Sequence, residues 1–134
     1  MTTDSRMPKV SQRLNERSRL ALERHAAEEA AVEQRLSTLD QSGPSALERL
    51  AEVAQSHSGQ SHHCRRILLA LYNGPEWPLE LTRLRCLDRD LQRAAITVIE
   101  WSAYAAHELH ESLDDGEALL QRFWNTESDK GGAR

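Results

Sequence analysis

The sequence predicts an all-α protein: a helical bundle of about five helices, with a long N-terminal helical arm and a compact four-helix core. Three observations lead there. The chain has 134 residues, 39% hydrophobic and 28% charged, which suits one domain with one modest core. It holds one Phe, two Tyr and three Trp, so the core must come from Leu, Ile, Val and Ala. Helices pack well on those residues, whereas small β cores lean on aromatic and β-branched ones. Finally, stretches rich in Ala, Glu, Arg and Leu alternate with short Gly, Pro and Ser breaks, and within them apolar residues recur three and four apart.

Residues 1–8 are polar and end at Pro8, which predicts a disordered start. Residues 9–39 contain neither Gly nor Pro. Val10, Leu14, Ala21, Leu22, Val32, Leu36 and Leu39 keep a helical period there, but the stripe is thin and charged residues interrupt it. Such a helix is expected to be an arm, partly docked at most. The run Asp40-Gln41-Ser42-Gly43-Pro44 reads as a break. A second helix is expected from Ser45, with Ser45 and Glu48 as its capping box, ending at Ser56-His57-Ser58-Gly59. A third should run from Gln60 or Ser61 to Asn73, with Gly74 as a left-handed stop. Trp77 stands between Pro75 and Pro78 as a buried loop anchor. Asp88 caps the fourth and longest core helix, expected to reach Leu113 and to organise the core. After the turn Asp114-Asp115-Gly116 the last helix carries Leu119, Leu120, Phe123 and Trp124. The packed domain is thus expected over 45–124, followed by a disordered tail at 125–134.

The net charge of −4 is unevenly spread. Met1–Leu39 holds seven Lys/Arg against six Asp/Glu, while Glu100–Asp129 holds eight acids against Arg122 alone. That polarity argues against phosphate binding by the C-terminal third and favours a basic partner. No stretch approaches the ~20 apolar residues of a membrane span. Met1–Val10 has no apolar run of the secretory kind. Cys64 and Cys86 lack metal-type spacing and fit free thiols of a reducing, cytoplasmic setting.

Several side-chain groups invite chemistry and fail on spacing. His57, His62, His63 and Cys64 offer imidazole and thiolate, yet Cys64 belongs to an apolar stripe. His107-Glu108-Leu109-His110-Glu111 has Glu111, not a second histidine, four residues after His107. No nucleophile elbow or phosphate-binding Gly loop is present. The expectation is therefore a non-enzymatic protein without cofactor or metal. Arg65, Arg66, Arg83, Arg85, Arg89 and Arg93 are the candidate phosphate contacts of a rival reading, a nucleic-acid-associated or structural accessory.

The run Ala46-Leu47-Glu48-Arg49-Leu50, then Gly59-Gln60-Ser61, Ile67 to Gly74, Trp77-Pro78, Leu81-Thr82 and Leu87-Asp88 resembles an uncharacterised family. Its members are small helical proteins encoded on bacterial conjugative elements and plasmids, and the likeness covers about residues 44–100. The resemblance implies a mobile-element setting and supplies no catalytic residue. The function expected from these features is protein binding, directed against a host defence complex of the CRISPR-effector type, a basic nucleic-acid-binding assembly. The expected contact residues are Arg13, Arg17, Arg24 and Glu28 on the arm, with Glu100, His107, Glu108, Glu111, Asp114, Asp115 and Glu117 on the acidic face. The arm is also the expected seam of a homodimer.

Overall fold

The computed structural model describes residues 8–129, so residues 1–7 of the start expected at 1–8, and residues 130–134 of the tail expected at 125–134, lie outside the described residues. It is all-α: α1 (Lys9–Ala54), α2 (Ser61–Tyr72), α3 (Arg89–Tyr104) and α4 (Gly116–Asp129), with short 3₁₀ turns at Leu81–Cys86 and Leu109–Ser112. The chain divides into two compact units, residues 1–35 and 36–134.

The first unit is the leading part of α1. Its described residues, 8–35, are exposed apart from half-exposed Ser11. Val10, Leu14, Leu20, Leu22 and Val32 all stand largely in solvent. Arg19 bridges Glu16 and Glu23, the latter at 2.8 Å, and pairs at this spacing support a helix by a few tenths of a kcal/mol each.

In the second unit, residues 36–54 of α1, with α2, α3 and α4, close one core. α1 buries Leu39, Leu47, Leu50, Ala51 and Ala54, α3 buries Leu91, Ala95, Val98 and Trp101, and α4 buries Leu119, Leu120 and Phe123. The fourth helix of the sequence reading was expected to organise this core, but α2 does. Every residue from Cys64 to Leu69 is buried, and α2 touches α3, α4 and both 3₁₀ turns. Trp77 anchors its loop as expected, 6% exposed.

The largest correction is at residues 40–44. No break occurs, and α1 passes through Pro44. Proline there removes the N–H that would bond the Asp40 carbonyl and crowds that carbonyl. Tertiary contacts outweigh the local signal. Gly43 is buried with the Trp101 indole against it: a Cβ at Gly43 would stand 2.4 Å from ring carbons Cδ2 and Cε3. The same indole donates from Nε1 to Asp40 Oδ1 at 2.9 Å. Leu39 and Leu47, on either side, are both 1% exposed, and a break would put one of them out of phase. Ser45 is therefore mid-helix, donating to the Ser42 carbonyl at 3.3 Å, and forms no capping box with Glu48.

Three smaller corrections follow from packing. α3 stops at Tyr104 instead of Leu113. At 1.5 Å per residue α2 spans only ~18 Å and α3 already ~24 Å, so a helix to Leu113 would overshoot the core. Gly74 takes no left-handed φ. Asn73 ends α2 at φ −152°, ψ 83°, and its carbonyl and side-chain oxygens accept from the Trp77 and Glu76 amides. The disordered tail expected from residue 125 is instead helical to Asp129, with Glu127 at 0% exposure. Asp115 enters α4 at φ 51°. Gly116 follows it because a Cβ there would meet the His110 carbonyl oxygen at 1.8 Å.

Candidate functional site: an acidic face and a buried ionic clasp

The acidic face is built where α3 has ended and the chain turns back into α4. Glu108, Glu111, Asp114, Asp115 and Glu117 are exposed, as is His107, whereas Glu100 is half-buried on α3. Two open grooves cross this region. One, of about 400 Å³, has Glu48, Glu52 and Asp114 in its lining together with Ser112 and Leu113. The other, of about 580 Å³, has His107, Glu108 and Glu111 along Ala70 and Leu71. Their linings contain no Lys or Arg. The sequence reading missed Glu48 and Glu52, which stand some sixty residues before Asp114 and reach it only through helix packing. Glu52 pairs with Arg49 at 3.1 Å, whereas Glu48, Glu108, Glu111 and Asp114 hold no side-chain ion pair among the described residues.

The remaining predicted contacts fall in different surroundings. Glu117 accepts from the Tyr72 hydroxyl at 2.7 Å and lies 3.1 Å from His110 Nε2. The hydrogen bond to Glu117 raises the Tyr72 pKa. His107 sets its ring edge against Trp101, with centroids 5.9 Å apart, and its Nε2 lies 3.2 Å from Ser112 Oγ. Arg13, Arg17, Arg24 and Glu28 are exposed on the first unit and are described by that unit alone.

The second cluster lies inside. Glu127 Oε2 accepts from Arg65 Nε at 2.7 Å, and Oε1 from Arg66 Nε at 3.0 Å. His62 Nδ1 stands 2.6 Å from Oε1, a close contact that becomes an ion pair only when the ring is protonated. Arg65 also donates to the Ala54 carbonyl at 2.9 Å, satisfying an acceptor left open at the end of α1. Arg66 lies over the Trp77 ring at 4.8 Å, and Trp77 meets Trp124 edge-on. Arg65, Arg66 and Arg83 are 7%, 9% and 9% exposed, so half of the arginines offered as phosphate contacts are withdrawn into ion pairs. Arg85, Arg89 and Arg93 remain exposed.

Burial, the largest influence on Glu127, would raise its pKa, but hydrogen bonds from Arg65 and Arg66 and the nearby His62 and Arg65 charges outweigh it, leaving a net lowering. For His62 and His63, burial leads in lowering the pKa and the Arg83 charge adds to it. Burial pushes the Cys64 thiol up to about 11, as suits an inert core thiol.

These directions give a sign for stability. The histidines have folded pKa values below the ordinary ~6.5, so their contribution is complete above that pH and falls as acid protonates the unfolded chain first. Glu127 and Asp88 are lowered acids, whose contribution is complete above the usual carboxylate range and lost as pH falls through their folded pKa. The urea midpoint should be flat between about pH 7 and 8, fall in a first stage below ~6.5, and fall again below ~4.5. A midpoint that rises on mild acidification would contradict the assignment.

The residues that set the sequence resemblance turn out to be structural. Gln60 Oε1 accepts the Asp88 amide at 2.6 Å, and Gln60 Nε2 donates back to Asp88 Oδ2 at 3.2 Å. Asp88 Oδ1 caps α3 through the Leu91 amide at 3.1 Å, and that bond leads in lowering the Asp88 pKa. Ser61, at 0% exposure, ties Ser56 and Ser58. No curated protein and no solved structure matches the chain. Residues 44–128, more than half of it and nearly all of the second unit, match a family of unknown function, and the chain accordingly belongs to the DUF7673 family.

Proposed function

We propose that this protein is a non-enzymatic binding module that takes a basic protein surface on the acidic face around Leu109–Asp114. The observation behind this is the pair of grooves lined by Glu48, Glu108, Glu111 and Asp114 without a neutralising cation in the lining. Apolar wall residues such as Leu71, Leu113 and Leu119 add desolvating area to a charged rim, a combination that favours specific association. The finer proposal is inhibition of a host defence complex: a nucleic-acid-binding channel is basic, and an acidic face can occupy it in place of nucleic acid. The mobile-element setting implied by the sequence resemblance supports that finer step. Val10, Leu14, Leu22 and Val32, exposed on the first unit, supply a second contact surface and the seam for a homodimer.

The test is capture from a bacterial lysate with the wild-type protein and with Glu48→Lys, Glu108→Lys, Glu111→Lys and Asp114→Lys combined. Wild-type protein should recover a basic protein in a salt-sensitive manner, and the variant should lose at least ~10-fold in association rate at low salt. Recovery of nucleic acid instead of protein, or equal capture by the variant, would sink the proposal.

A further inference from the structure

The geometry around Arg83 points to a pH-operated clip: we propose that protonation of His62 and His63 releases the Leu81–Cys86 turn from α2 while the Glu127 clasp stays closed. Arg83, 9% exposed, sends one guanidinium nitrogen to two imidazoles at once, 3.3 Å from His62 Nε2 and 3.1 Å from His63 Nδ1. Its other terminal nitrogen pairs with Glu80. A guanidinium has donors only, so both contacted ring nitrogens must be acceptors. That sets the tautomers. His62 carries its proton on Nδ1, toward Glu127, and His63 carries its proton on Nε2.

Protonation turns each acceptor into a donor facing a donor and places two more cations beside the guanidinium. The groups that face the histidines are Glu127 from α4, Arg66 from α2 itself, Arg83, and Glu80 just before the turn. Glu127 favours the imidazolium of His62, and Glu80 lies toward His63, but Arg83 and burial oppose both. The carboxylate clasp responds differently. Arg65 and Arg66 hold Glu127 whether or not the histidines are charged, and an imidazolium at His62 only adds to its attraction. Acid therefore opens the Arg83 contact first and the Glu127 contact later.

Amide hydrogen exchange of the full chain at pH 7.5 and 5.5, corrected for the intrinsic pH dependence of exchange, tests this. Protection of residues 81–87 should fall roughly tenfold at pH 5.5 and stay insensitive to low urea, as a local opening does, while exchange of Ile67 and Leu69 in α2 accelerates with urea, as global unfolding does. The double variant His62→Gln with His63→Gln retains acceptors that cannot titrate and should abolish the difference. In the wild type, imidazole proton NMR should show both histidines titrating below the ordinary value, and Arg83→Met should move both upward. Unchanged protection in the wild type, a urea dependence of residues 81–87 equal to that of α2, the same loss in the double variant, or ordinary histidine titration would each overturn the clip.

Discussion

Replacing Glu127 with Ala should destabilise the protein by about 3–5 kcal/mol, because it leaves buried guanidinium charge without its counter-ion. Both arginines lose their carboxylate acceptor together. Arg65 keeps only the Ala54 and Ser56 carbonyls, and Arg66 keeps the Trp77 ring. Water must then enter between α2 and α4, or α4 must fray from its C-terminal end. Glu127→Gln retains an oxygen acceptor without the charge and should cost roughly half as much. Urea unfolding at pH 7.5 measures both. A loss under about 1 kcal/mol for Glu127→Ala would show that the clasp is not what holds the end of α4.

Trp101→Ala should cost about 3–5 kcal/mol, the usual range for emptying a large buried aromatic site. Gly43→Ala at the facing position should also destabilise, by roughly 1–3 kcal/mol, because the added methyl must displace a rigid ring. The two together are expected to be less than additive, since the three atoms nearest a Cβ at residue 43 all belong to that indole. Pro44→Ala should move the other way and stabilise, since an interior helix position gains a backbone donor for the Asp40 carbonyl. Urea midpoints of these four variants separate a continuous α1 from a helix–turn–helix. In a turn at 40–44, Gly43→Ala would strain the backbone whatever stands at residue 101, and Pro44→Ala would destabilise.

These two sites mark where sequence reasoning succeeds and fails. Helical periodicity located α2, the Asp88 cap and the apolar set Leu119, Leu120 and Phe123, because those signals are local and the core agrees with them. The same periodicity runs on from Leu120 through Phe123 and Trp124 to Glu127. It was overlooked because a charged residue at an apolar phase reads as the end of a buried stripe. Nothing local could reveal that Arg65 and Arg66 stand opposite it, sixty-odd residues away. Gly43-Pro44 is the converse case, a strong local breaker overruled by an indole from α3. The acidic face was half legible. Glu108, Glu111 and Asp114 were visible as a run of charge, but the grooves and the part played by Glu48 and Glu52 follow from how α1 packs.

The sequence by itself determined the all-α class and the excess of acid toward the C-terminal end, since helix propensity, apolar period and charge are properties of neighbouring residues. Tertiary structure alone decided that α1 runs unbroken, that α3 stops at Tyr104, and that three arginines are core ion-pair partners in place of surface cations. The physical reason is the same each time. A proline penalty or a desolvation cost of a few kcal/mol is decided by what stands opposite, and the sequence does not show which residues those are.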